Sequence, residues 1–144
     1  MSEATLKFLG YDLEKINYER NNLFDSSIDS EILPKINAMI IYKDESKKEA
    51  NIILGIKYDN ENNLPFSLEV VLRGFFEFND EDQKIIFQNG TAIMYPYMRS
   101  IITDITSKTN YTPIILPTMN FYNLLSKELE NYELISEGYL SYDE

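Results

Sequence analysis

The sequence predicts a single α+β domain: a four-stranded antiparallel sheet followed by a long helix and a second helix. Three observations lead there. Up to residue 78 the chain holds runs with apolar side chains at every second position, the period of half-buried strands. From Asn79 onward the period changes to that of a helix. The chain has 144 residues, enough for one core and too few for two ordinary domains.

Residues 6–11 and 16–19 read as two short extended segments separated by a polar turn. Residues 28–42 alternate, with Ile28, Ile32, Ile36, Ala38, Ile40 and Tyr42 on one side and Asp29, Glu31, Lys35 and Asn37 on the other. Pro34 lacks an N–H, which places an edge or a bulge there. Residues 43–48 form a charged hairpin loop. The next strand covers 50–58, and the Asn-rich turn at 59–63 leads to a third long strand at 66–78. Phe66, Leu68, Val70, Leu72, Phe76 and Phe78 give that strand one wholly apolar face. Consecutive strands joined by short turns read as a meander.

Asn79 caps a short helix whose first turn carries Asp80, Glu81 and Asp82, signs that suit the helix dipole. Asn89-Gly90 ends it, and a longer helix spans 91–108. Pro96 either bends that helix or marks its first turn. In this helix Ile93, Met94, Tyr95, Tyr97, Met98, Ile101, Ile102 and Ile105 sweep roughly 200° of arc, about twice what packing on one sheet face requires. The surplus needs a second cover. One solution is another subunit, with Ile93, Met94, Tyr97, Met98, Ile101, Ile102 and Ile105 at the interface. The other is a monomer in which the final helix and the 113–117 connector fold over that side. Residues 110–118, with Pro113 and Pro117 around Ile114, Ile115 and Leu116, form the extended connector. Asn120 then caps a last helix with Phe121, Leu124, Leu125, Leu129 and Tyr132 on one stripe. From Glu128 onward there are six acids and no base, so residues 1–132 make one domain and 133–144 a mobile acidic tail.

Composition narrows the function. The absence of Cys and His removes thiolate and imidazole metal sites, Cys nucleophiles and any Ser-His-Asp triad. A net charge of −11 repels phosphate backbones and anionic headgroups, which argues against nucleic acid and membrane surfaces as partners. No apolar run approaches a membrane span, and the first residues lack a signal-peptide pattern, so a cytoplasmic protein is expected. Asp80-Glu81-Asp82 and Asp143-Glu144 are better explained by the helix dipole and a solvated tail than by a metal site. No catalytic group, metal or cofactor is expected.

Three runs carry a family signature: Arg73-Gly74-Phe75-Phe76-Glu77-Phe78, then the stretch from Asn89-Gly90-Thr91 through Tyr95-Pro96-Tyr97-Met98-Arg99-Ser100, then Pro113-Ile114-Ile115-Leu116-Pro117-Thr118-Met119-Asn120-Phe121. In residue type, order and spacing they resemble the SecB protein-export chaperone family, over about Leu6 to Leu125. The resemblance implies a dimer of dimers with the long helices between sheets. It implies an ATP-independent holdase for unfolded or nascent polypeptides, serving export through the SecA motor. Some relatives instead guard an antitoxin in a toxin–antitoxin–chaperone system. A non-chaperone oligomeric adaptor that binds one folded partner is the alternative from another class. Glu19 and Glu69 fall where two SecA-docking acids are expected, but Lys15 stands at the place of another acid and Ser67 at that of an apolar contact. The crossover segment at 20–28 is short, with Leu23 and Phe24 as its apolar residues.

A holdase needs exposed apolar surface that accepts many sequences. The candidates for binding client polypeptide are Leu23, Phe24, Tyr42, Phe66, Ile114, Leu116, Met119, Phe121 and Leu125. On the connector, alternate residues point opposite ways, so Ile114 and Leu116 share one side and Ile115 takes the other.

Overall fold

The computed structural model of the chain describes residues 6–28, 34–43, 48–59, 63–79, 83–121 and 139–143. The elements are β1 (Leu6–Arg20), β2 (Lys35–Tyr42), β3 (Glu49–Tyr58), β4 (Phe66–Phe78), α1 (Gln83–Thr106) and β5 (Tyr139–Asp143). The strands form one antiparallel sheet in the order β1-β4-β3-β2-β5. The expected meander holds for β2, β3 and β4. β1 instead pairs beyond β4, which turns the four strands into a Greek key. A fifth strand, beyond the four expected, comes from the acidic tail and adds to β2.

β1 is one continuous strand, not two short ones. Its apolar residues follow the spacing 2, 3, 2, 3, 2: Leu6, Phe8, Tyr11, Leu13, Ile16 and Tyr18. Two register shifts, at Phe8/Gly10 and Leu13/Lys15, absorb the odd steps. Those six residues therefore stand opposite Phe78, Phe76, Gly74, Leu72, Val70 and Leu68, all on one face. Gly10, at the first shift, has φ 127°, a value that favours glycine. The strand expected from residue 28 begins at Lys35; Ile28 sits in an exposed turn, and 29–33 lie outside the described residues.

The core lies between the sheet and α1. Burial alternates strictly along β4, and β2 and β3 bury the same face. The helix is also continuous: Asn89-Gly90 does not end it, and Pro96 lies well inside. Gly90 faces the sheet, where a Cβ would overlap Cδ1 of Ile52 and sit 3.4 Å from the Phe76 ring. At Gly74 a Cβ would collide with Met94. Glycine at these two positions lets helix and sheet approach closely, and that packing outweighs the helix-ending tendency of Asn-Gly. Met94, Met98 and Ile102 recur every four residues and are fully buried against the sheet.

The connector runs back along α1 and is held by side-chain bonds in place of a ladder. Thr103 Oγ1 donates to the Ile114 carbonyl at 2.7 Å, and the Ile114 N–H donates to Thr106 Oγ1 at 2.8 Å. The Tyr95 hydroxyl donates to the Pro117 carbonyl at 2.5 Å, and its ring meets Phe121 edge-on at 5.1 Å. Leu116 and Phe121 are thereby buried. Of the residues expected to form a last helix only Phe121 is described; Leu124, Leu125, Leu129 and Tyr132 lie outside the described residues.

Candidate functional site

The connector covers one flank of α1, so part of the surplus apolar arc is satisfied within the chain. Among the described residues nothing covers the other flank. Ile93, Tyr97, Ile101 and Ile105 repeat every four residues along it, partly buried, with Tyr97 40% exposed. Of the seven residues proposed for an oligomer interface, Met94, Met98 and Ile102 face the sheet and these four form the outer stripe. Beside the stripe runs β1. The Tyr97 ring packs at 4.8 Å from Tyr11 and 5.6 Å from Phe8. Beyond that contact Leu13, Ile16 and Tyr18 continue on the helix-side face of the sheet, yet each is at least 39% exposed.

This strip is the main apolar surface left open among the described residues, and β1 is also an unpaired sheet edge. Sequence reasoning missed Tyr11, Leu13, Ile16 and Tyr18. The signal that would have found them is the 2, 3, 2, 3, 2 spacing, which a strict period-two reading breaks into fragments.

A second surface forms where the crossover meets the connector. Two asparagines staple the crossover to the turn before β4. Asn21 donates from its backbone to Pro65 O at 2.9 Å and from its side chain to Leu64 O at 2.7 Å. Asn63, at φ 56°, accepts from Asp25 N–H and donates to Asp25 O. On this fixed turn Leu23 is 90% exposed, and Phe24 meets Tyr111 edge-on at 5.5 Å. The connector's Ile115 is 74% exposed, while Leu116 is 1% exposed, which agrees with the expected alternation.

Of the proposed client-binding residues, the structure therefore brings Phe24 to the connector's first turn and leaves Leu23, Ile114 and Met119 at least partly open. Tyr42, Phe66, Leu116 and Phe121 are core residues in this chain: Tyr42 packs edge-on to Phe78, and Phe66 lies under Tyr18. Leu125 lies outside the described residues.

The opposite sheet face is polar at its rim. Glu19 stands opposite Ser67 there, and Glu69 opposite both Asn17 and Lys57. Glu69 pairs with Lys15 at 2.6 Å, and Arg73 pairs with Glu14 at 2.9 Å. One of the two proposed docking carboxylates is thus already matched by a lysine of the same chain.

No helix among the described residues is long and apolar enough to cross a membrane. The family model for preprotein translocase subunit SecB matches residues 13–132. An uncharacterized protein of Methanocaldococcus jannaschii is 31% identical over 132 residues, which cover 86% of this chain and 84% of that protein. The protein-export protein SecB of Bartonella bacilliformis is 24% identical over 125 residues, 81% of this chain and 79% of that one. Among solved structures, the Mycobacterium tuberculosis SecB-like chaperone, in complex with an antitoxin peptide, superposes with a TM-score of 0.62 at 12% identity, covering 79% of this chain and 90% of that one.

Proposed function

This chain belongs to the SecB family, and from that premise we propose that it is an ATP-independent holdase that binds unfolded or nascent polypeptides and delivers them for export. Family membership supports a non-enzymatic chaperone role. The observation that carries the finer reading is the apolar surface left open on a small acidic domain: the β1 strip with the Tyr97 stripe, and the Leu23–Phe24–Ile115 surface.

We assign the two surfaces different work. The β1 strip and the outer stripe of α1 are contiguous and self-complementary in chemistry, which suits a second copy of the chain and, through both, a tetramer. The crossover and connector surface is smaller, built on stapled turns, and suits client segments. The charge of −11 favours clients that mix apolar and basic residues. The proposed place of action is the cytoplasm.

A second reading, a chaperone dedicated to one antitoxin, is favoured by the Lys15–Glu69 ion pair, which removes a carboxylate from the proposed SecA-docking surface. The test is suppression of aggregation of several unrelated, chemically unfolded proteins without nucleotide. Activity against most of them supports the general holdase. Failure against all of them, with tight binding of one antitoxin, moves the assignment to the dedicated role.

A further inference from the structure

The two edges of the sheet are treated differently. Among the described residues nothing pairs with the outer edge of β1, whereas the outer edge of β2 is taken by the chain's own C-terminal segment. That pairing runs from Asn37↔Asp143 to Ile41↔Tyr139, five residues, while β2 pairs with β3 over eight. Ladder bonds join backbone groups, so an extended segment of almost any sequence can take the place of β5.

The occupant is poorly matched in charge. The last 17 residues hold six of the chain's 24 acidic residues and none of its 13 basic ones. The five paired residues carry one of those acids, Asp143, and no base, so on a domain of net charge −11 a neutral or basic strand is favoured over them by the long-range field. The tether works the other way. Because β5 is part of the same chain, its pairing is intramolecular, and it keeps the edge covered when nothing better is present.

We infer that Tyr139–Asp143 is an internal competitor for the β2 edge, which it covers at rest and yields to an extended polypeptide segment carrying apolar and basic residues. The inference rests on the chaperone reading above and deepens it: apolar surface would hold client side chains while the β2 edge holds client backbone. A client that must displace β5 binds with an affinity reduced by the fraction of time the edge is free.

The test uses the full chain with L140P and S141P combined. Successive residues of a strand turn their N–H groups to opposite sides, so one of the two prolines falls where β5 donates to β2. The first measurement is hydrogen–deuterium exchange at residues 37–41, where alternate amides are expected to lose protection in the variant. The second is the affinity of a fluorescent 15-residue peptide alternating Val or Tyr with Lys, expected to tighten three- to tenfold. A far-UV melt close to that of the unmodified chain shows that the domain is intact. Unchanged exchange at residues 37–41 would overturn the inference, because β5 would not be covering the edge. Lost protection with equal or weaker peptide binding would also overturn it while leaving the chaperone reading in place. Lost protection with no peptide binding by either protein, and no suppression of aggregation, would sink both.

Discussion

Replacing Gly90 by alanine tests the close approach of α1 to the sheet. In an exposed helix interior this change stabilises by about 1 kcal/mol, because glycine has the greater freedom to lose. Here the new methyl group would occupy the space of Ile52 Cδ1, with the Phe76 ring 3.4 Å behind it. Ile52 and Phe76 are both fully buried, so neither moves into open space. Overpacking of this kind costs about 1–3 kcal/mol, so the expected net effect of Gly90→Ala runs from neutral to a loss of about 2 kcal/mol. Ile52→Val removes the offending carbon and by itself costs about 1 kcal/mol. Combined with Ile52→Val, the alanine should be neutral or slightly stabilising, which gives a coupling of about 2 kcal/mol in the double-mutant cycle. Urea unfolding at one fixed protein concentration, followed by circular dichroism, measures all four proteins. A gain in stability from Gly90→Ala alone would refute the close approach. Equal losses with and without Ile52→Val would place the glycine requirement in the backbone, as a chain break at Asn89-Gly90 demands.

Leu13→Asp puts a charge on the half-exposed β1 strip; the expected result is loss of self-association in sedimentation with little change in the melt, and an unmodified chain that sediments as a monomer at tens of micromolar would contradict the interface assignment. Leu116→Asp buries a charge and should unfold the domain, whereas Ile115→Asp, one residue away, should stay within about 0.5 kcal/mol of the unmodified chain; equal melts for the two would deny the connector its place in the core. Burial, with a smaller contribution from Tyr95, pushes the Tyr58 hydroxyl well above the ordinary tyrosine range. The unfolded chain then ionises first near pH 10, so stability should fall as pH rises above that value. Tyr58→Phe should make this alkaline decline shallower, and an identical decline in both proteins would argue against that assignment.

The strands with strict alternation are legible in the sequence because each buries one face and has a straight partner. β4 is bounded to the residue, and β3 differs by one. β1 reads as fragments because two register shifts interrupt its period, and its place beside β4 depends on long-range pairing that no local pattern encodes. The helix reads as broken because Asn-Gly is a strong local stop signal, yet a tertiary contact with Ile52 uses that glycine inside the helix. The connector's two sides are legible from simple alternation. Whether its inner side faces a groove or the core is not, because that depends on Thr103, Thr106 and Tyr95 drawing it onto α1. β5 is hidden by acidic composition, since backbone pairing on an edge asks little of side-chain type.

The placement of β1 beside β4 also sets a timetable for synthesis. The paired residues of the two strands lie between 46 and 72 positions apart, from Arg20↔Phe66 to Leu6↔Phe78. At about 5–20 residues per second, β1 therefore waits roughly 2–15 s on the ribosome before its partner is made. During that wait its six regularly spaced apolar residues have no native neighbour, while β2, β3 and β4 can zip together through short loops as they emerge. The first strand translated is thus among the last to dock, and the newborn chain passes through a stage in which it presents the same kind of exposed, extended, apolar segment that the finished protein is proposed to hold.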